Sequence, residues 1–485
     1  AGPFGTARLE EWLLGDPADV ATIGARQQSV RALRERPELL LDAAVAGQGA
    51  PALPRAHLEQ FLRWGTESGS LRSLPRRAVW VVALCVTIGV VAAWLAGVPD
   101  VAALLYLVVP VNLTLAVLAR LRLQRSFHGL DGAVRQLEGA VHTMRRLSDA
   151  PDVDGELGEL QRRLRADQAP AAFASLQRLL SWNEVQYSPM MHWVLNAVVA
   201  FDAVLIEALG WWGRRHGART REWFRIVGDA EALLALGALA FENPSWIFPV
   251  VHDDPGEPHL SATAVRHPLL SPAIAVGNDA ELREPGDVLV ISGSNMSGKT
   301  TFLRAVGTNV LLANLGGPVA AETMTVRRTR VRTSVRVADD LSAGISLFLA
   351  EVRALREVVS AAERPGEPPV LFLLDEILHG TNTADRRAAT RDVLTRLSAA
   401  GASGIVTTHD PEIALGWGTS DGAQGQDRHV VQRHFRDALR QTEQGITMTF
   451  DYRAHDGPAT TSNAQRIWAT LMENPSALIG GRSAE

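Results

Sequence analysis

At 485 residues, 46% hydrophobic and 21% charged, the chain is long enough for several domains, each with its own core. A formal net charge of -5 excludes a global basic field for nucleic acid, so any such contact must come from a local patch. The single cysteine, Cys85, excludes a disulfide framework or a multi-cysteine zinc site and fits a reducing compartment.

The chain opens at Ala1 with neither a methionine nor a signal-peptide pattern, which leaves room for an upstream portion. Leu9, Trp12, Leu13, Val20, Ile23, Val30 and Leu33 recur at helical spacing and predict helices over residues 7–45. Gly15, Asp16 and Pro17 punctuate the first helix, and Asp19 is placed to cap the next. From Ala78 to Gly97 there is no charged residue, a length that suits a membrane-spanning helix of about 20 residues. A turn at Gly97–Asp100 leads into a second uncharged run, Val101–Ala119. Arg72, Arg76 and Arg77 precede the pair, and Arg120, Arg122 and Arg125 follow it. Positive charge on both outer flanks predicts a transmembrane hairpin, with both chain ends on the cytoplasmic side of the inner membrane. Trp80, Trp94 and Tyr106 are candidate interface anchors, and a buried hairpin in a soluble core is the competing reading.

Residues 126–240 read as helical and mixed in charge. Within them Met191–Arg215 is apolar but holds Asp202 and Glu207, which are costly at a bilayer centre. It is read as a core helix, with a third span the lesser alternative. The helical pattern ends near Asn243 and Pro244, where a strand-and-loop region begins.

There "DVLVISG" (Asp287–Gly293) reads as a buried strand feeding "GSNMSGKT" (Gly293–Thr300), which fits G-x-x-x-x-G-K-[ST] and opens a helix. Backbone N–H groups and a helix N-terminus would then face phosphates. Lys299 is assigned to the β- and γ-phosphates and the Thr300 hydroxyl to Mg²⁺. "PVLFLLDE" (Pro369–Glu376) is an apolar strand ending in two carboxylates: Asp375 for the Mg²⁺ shell, Glu376 to orient or deprotonate the attacking water. "GIVTTHD" supplies another strand, with His409 at its end suited to sensing a γ-phosphate.

These motifs resemble the MutS-type ATPases. The loop is similar to that family's G-P-N-M-G-G-K-S-T. "ADDLSAGISLFLAEV" (Ala338–Val352) resembles D-D-L-x-x-G-x-S-T-F, "DEILHGTNTAD" resembles D-E-x-x-x-G-T-x-T-x-D, and "TTHD" resembles A-T-H-[YF]. "VRHPLL" (Val265–Leu270) is similar to the R-H-P element that opens the ATPase domain, and the first forty residues resemble the start of the MutS core. The resemblance implies a homodimer in which the signature segment of one subunit completes the ATP site of the other, so Gly344 and Ser346 would reach across the interface. The ATP-binding set it implies is Gly293, Ser294, Asn295, Met296, Ser297, Gly298, Lys299, Thr300 and Thr301, with His267 from the R-H-P element.

The departures are equally specific. Nothing in the sequence supplies the family's mismatch-reading domain with its Phe-x-Glu wedge, expected before the core, and the hairpin is read as standing in the place of the clamp insertion. Leu347 replaces a threonine of the signature. Ala275 in "AIAVGND" stands where the family stacks an aromatic on adenine, and the helix-turn-helix tail is not recognisable after "GPATTSNAQRIW". The chain thus resembles the membrane-embedded MutS-related proteins of bacteria.

The expected fold is α plus α/β. Residues 1–75 start a helical core, 76–125 form the hairpin, 126–250 continue the core and lever, and 251–485 form the P-loop ATPase domain. The leading function is a membrane-anchored, Mg²⁺-dependent ATPase that dimerises through its nucleotide sites, with ATP-switched DNA binding in repair. The alternative is an ATP-driven switch acting on a non-DNA protein partner. A transporter ranks last, since two spans give no substrate path and "LSAGI" is not L-S-G-G-Q. The one dense basic stretch, Arg327–Arg336, is read as a solvated strand face rather than a DNA contact.

Overall fold

The computed structural model describes residues 2–47, 55–70, 74–127, 138–182, 188–335, 347–378, 382–410, 430–442 and 445–458. The chain forms two compact units, one of residues Ala1–Glu10 and Ala32–Ala238, the other of Glu11–Arg31 and Leu239–Glu485.

The first unit is helical among the described residues. Its elements are α1 (Pro3–Leu14) and α2 (Val20–Arg34), both divided between the units, then α3 (Pro37–Gly47), α4 (Arg55–Ser70), α5 (Leu74–Leu95) and α6 (Ala102–Phe127). There follow α7 (Glu138–Asp149), α8 (Glu156–Ala166), α9 (Ala169–Trp182), α10 (Pro189–Val199) and the long α11 (Phe201–Glu242). Asp19 caps α2 as expected, its carboxylate accepting from Thr22 N at 2.8 Å, and this bond holds its pKa below the ordinary value.

Helical periodicity shows in what is buried. In α7 the buried apolar residues are Ala140, Val141, Met144 and Leu147, and in α8 they are Leu157, Leu160 and Leu164. The core is aromatic: Phe173 lies 5.5 to 6.5 Å, ring to ring, from Phe61, Trp212, Trp223 and Phe224. Two indoles keep their polar atoms satisfied. Trp212 Nε1 donates to the Ala172 carbonyl at 2.8 Å and Trp223 Nε1 to Asp167 at 2.9 Å. At Gly217 an added Cβ would fall 2.0 Å from the Gly65 carbonyl oxygen, so α4 and α11 pack backbone to backbone.

The predicted apolar pair forms the two helices α5 and α6, joined by a turn in which Gly97 and Asp100 have positive φ. The single core helix expected over Met191–Arg215 is not continuous. Ala200 takes a left-handed φ of 48°, ends α10, and α11 sets off at 78° to it. Asn196 explains the break. Its side-chain oxygen accepts from Asp202 N at 3.0 Å, a bond that a continuing helix would give to a backbone carbonyl.

The second unit is α/β. Strands β1 (Val250–His252), β2 (Leu260–Val265), β3 (Asn278–Leu282) and β5 (Thr323–Arg327) make a four-stranded sheet ordered β1-β5-β2-β3. A six-stranded sheet is ordered β10-β9-β4-β8-β7-β6, from β4 (Val288–Ser292), β6 (Arg330–Ser334), β7 (Val370–Asp375), β8 (Ser403–Thr408), β9 (Val430–Thr442) and β10 (Gly445–Asp456). All its pairings are parallel except β10 with β9. The unbroken apolar runs of β4 and β7 follow from burial on both faces. Leu289, Ile291, Leu371 and Leu373 pack with α12 (Lys299–Leu315) and the smaller sheet. Val288, Val290, Phe372 and Leu374 face α13 (Leu347–Ala362) and α14 (Thr383–Ala399). Gly307 lets α12 sit close on the sheet, since a Cβ there would meet Leu373 at 2.4 Å.

The basic stretch departs from its expectation. Its residues divide between β5 and β6, which belong to different sheets, and Arg330 is buried rather than solvated. Its guanidinium pairs with Glu367 and donates to the carbonyls of Pro368 and Ala361 at 2.9 Å. His259 is also buried, and desolvation, with the Arg327 and His252 charges adding to it, lowers its pKa to about 4.

Candidate functional site

The motifs meet at the carboxyl edge of the six-stranded sheet. β4 delivers the chain to Gly293, and the loop closes at Gly298; their φ values of 143° and 111° lie where glycine is favoured. A Cβ on Gly293 would fall 2.9 Å from the Phe435 carbonyl oxygen. α12 then starts at Lys299, so its unpaired N–H groups and positive dipole end sit at the loop.

Lys299 is almost wholly buried. Its Nζ donates to the carbonyls of Gly293 and Ser294 at 2.8 Å each and lies 3.1 Å from Glu376 Oε1. Thr300 Oγ1 donates to the Asp375 carboxylate at 2.9 Å, and Thr407 Oγ1 donates to the same carboxylate at 2.6 Å. Glu376 sits just past β7 with φ 47°, and its N–H reaches the Thr407 carbonyl at 3.2 Å, which turns its side chain toward Lys299. His409, past the end of β8, holds Nδ1 at 3.5 Å from Glu376 Oε2. Ser297 is buried and donates to the Ser294 carbonyl at 2.8 Å. Asn295, Met296 and Thr301 are exposed. The fold thus brings together Lys299, Thr300, Asp375, Glu376 and His409 from three separate stretches of sequence.

Two observations fit a polyphosphate. Among the described residues, the buried Ser294 Oγ has no hydrogen-bond partner inside the cradle. The Lys299 ammonium, buried beside a helix N-terminus, is a point charge suited to an anion. Thr300 and Asp375 fit the small protein share of a Mg²⁺ shell completed by phosphates and water. Among the described residues no group of three or more His, Cys, Asp or Glu gathers to hold a metal alone.

His267 is placed elsewhere. It lines a cleft with Trp246, Arg266 and Ala275, and no residue of the loop Gly293–Thr301 lines it. Burial and the Arg304 charge lower its pKa. Gly344 and Ser346 lie outside the described residues, as do His379, Gly380 and Thr381 of the "DEILHGTNTAD" stretch.

Sequence reasoning missed Tyr452. A β-bulge in β10 gives it φ 55°, and its ring lies 3.2 Å from the position a Gly298 Cβ would take. Asn278 pins the bulge from both sides, donating to the Tyr452 carbonyl at 2.9 Å and accepting from Ala454 N at 2.7 Å. The residue is 46% exposed, and its ring lies 5.9 Å from that of Phe450, beside the loop. A second missed feature is Asp410, buried next to His409. It accepts from Arg387 Nε at 2.7 Å and Nη2 at 3.0 Å, with Arg386 at 3.6 Å. That pair ties the β8 end to α14.

A parallel sheet with a glycine loop at its carboxyl edge, and paired acids on a nearby strand, defines an anion-cradling α/β unit. Residues 289–482 match the family model for MutS domain V. The chain is 29% identical over 261 residues to a DNA mismatch repair protein MutS of Exiguobacterium sp., covering 53% of this chain and 28% of that protein. It is 32% identical over 255 residues to DNA mismatch repair protein MutS 2 of Halobacterium salinarum, covering 51% and 27%. Endonuclease MutS2 of Thermomicrobium roseum is 37% identical over 206 residues, covering 40% and 26%. These matches span little more than a quarter of the relatives' length. Over residues 289–482 the chain is thus similar to domain V of the MutS family.

Proposed function

We propose that the chain is a Mg²⁺-dependent P-loop ATPase that works as a homodimer and is anchored by α5 and α6 in the inner, cytoplasmic membrane. The convergence of Lys299, Thr300, Asp375, Glu376 and His409 carries the ATPase reading. Lys299 leaves Glu376 for the β- and γ-phosphates of ATP. Thr300 and Asp375 would hold Mg²⁺, which would offset phosphate charge. Glu376, freed of its lysine, orients the attacking water and accepts its proton, and His409 reports the γ-phosphate through its contact with Glu376. Tyr452 offers the adenine a stacking face in place of the aromatic missing at Ala275. The segment holding Gly344 and Ser346 completes the site of the other subunit.

The membrane reading is supported by Ala102–Leu121 in α6, 20 residues with mean hydropathy 2.2 of which only 22% are buried. Cys85–Leu95 in α5 is a shorter apolar stretch, with Val86, Ile88 and Trp94 exposed.

The test pairs two variants. Lys299→Ala should abolish nucleotide binding, whereas Glu376→Gln should bind ATP, stop releasing phosphate and accumulate as a closed dimer. Wild-type phosphate release by Glu376→Gln would refute the assignment of the base.

The relatives' names favour a second statement, that the ATP cycle switches a grip on DNA. DNA binding by the nanodisc-held protein should be measured on matched, mismatched and branched duplexes with ADP and non-hydrolysed ATP over a salt series. Nucleotide-dependent binding that weakens with salt supports a repair role. No binding with ATPase activity intact assigns the motion to a protein partner instead. The engagement of Arg330 with Glu367 and of Arg328 with Asp253 at 2.9 Å already removes much of the basic stretch from such a contact.

A further inference from the structure

α10 holds no Asp, Glu, Lys or Arg, yet it lies on the outside of its unit. Met190, Trp193 and Val194 are 79%, 59% and 52% exposed, and Met191 and Val198 are also exposed. A helix with so open an apolar face is unexpected in water. Its polar residues, by contrast, all point inward and are all engaged. His192 Nε2 lies 3.0 Å from Asp202 Oδ1 and 3.2 Å from Arg120, and Asn196 bonds both the His192 ring and the backbone of Asp202.

The end of α10 is sealed in the same way. The carbonyls of Ala197 and Val198, which have no partner in their own helix, accept from Asn112 Nδ2 at 3.0 and 3.3 Å. Asn112 is buried inside the α5–α6 pair, where it also donates to Thr87 Oγ1 at 3.0 Å. Internal satisfaction of every such group is what a hydrocarbon environment demands, because no water is there to supply partners.

The contacts also fix a depth. On α6 Asn112 lies ten residues from Ala102 and nine from Leu121, so about 14–15 Å from either end of the apolar stretch, near the middle of a core about 30 Å thick. Arg120 marks the cytoplasmic end of that stretch. α10 touches Arg120 through His192 near its start and Asn112 through Ala197 and Val198 near its finish. It therefore runs antiparallel to α6 from the arginine level to the midpoint, where the chain bends by 78° at Ala200 and Asp202 lies 3.7 Å from Arg120.

We propose that α10 and the first turn of α11 form a re-entrant element that dips from the cytoplasmic face to the bilayer midplane beside α5 and α6, its open face covered by lipid acyl chains. The inference rests on the membrane reading given above. Arg120, Asp202, His192 and Asn196 form a polar plug at the cytoplasmic leaflet, and the membrane part of the protein has three helices rather than two. Trp193 belongs near the headgroup level and Val198 near the midplane.

The test uses the lone thiol. Wild-type protein in phosphatidylcholine–phosphatidylglycerol nanodiscs is labelled with bimane at Cys85 and titrated with lipid carrying a spin label in mid-chain. Cys85→Ala with Val194→Cys is treated in the same way, and Cys85→Ala with Glu363→Cys is the aqueous control. Loss of fluorescence at both 85 and 194, with none at 363, is the expected result. Quenching at 85 but not at 194 overturns the re-entrant element and leaves the hairpin standing. Disulfide cross-linking of 194 between copies, without quenching, overturns it in favour of a second copy of the chain as the cover. No quenching at either 85 or 194 refutes the membrane reading itself.

Discussion

The two units treat polar side chains in opposite ways. Around α10, Asn112, Asn196, Asp202, His192 and Thr87 bond to one another and to backbone, so the cluster is closed. At the carboxyl edge of the large sheet, Lys299 borrows two loop carbonyls and a glutamate, and Ser294 Oγ has no partner among the described residues. A closed cluster resists change and defines a shape. A borrowed one is waiting for a ligand, because each borrowed contact can be exchanged for a stronger charged one.

The largest effects test that contrast at the open site. Lys299→Ala should lose ATP binding, and Glu376→Gln should lower kcat by about 10²–10⁴-fold with binding retained, read by phosphate release and nucleotide titration. At the closed end, Phe173→Ala should cost about 3–5 kcal/mol in denaturant unfolding of the helical unit. If the contrast holds, nucleotide affinity of the folded Phe173→Ala protein is unchanged.

His259 gives a pH test. Its folded pKa, near 4, lies below the unfolded value, so below about pH 6.5 the unfolded state binds the proton first. Its contribution is complete above pH 6.5 and is lost as pH falls toward 4, a loss of about 3 kcal/mol. His259→Gln should flatten the pH dependence of the denaturation midpoint over that window. Tyr452→Ala is the smallest of the five. It should weaken ATP binding by about 1 kcal/mol and leave tripolyphosphate binding alone, and equal losses for both would show a loop defect rather than a lost stacking face.

Legibility followed the same divide. The meeting of Gly293–Thr300, Asp375 and Glu376 at one sheet edge was readable because each motif is a few consecutive residues with a strand before them. The two apolar helices α5 and α6 were readable from length alone. Tyr452 was not, since its value comes from a bulge and from Asn278, far away in sequence. The break at Ala200 was equally hidden: alanine carries no turn signal, and only the Asn196 side chain competing for Asp202 N makes the corner. Burial of Arg330 was hidden because its partner Glu367 comes 37 residues later, just before β7.

The pairing of Lys299 with Glu376 has one more consequence. On the ATPase reading proposed above, the group assigned to take a proton from water is paired with the cation assigned to the phosphate. On that reading neither would act until an anion separates them, and the site would carry an interlock in which the base is armed by the cargo it is to cut.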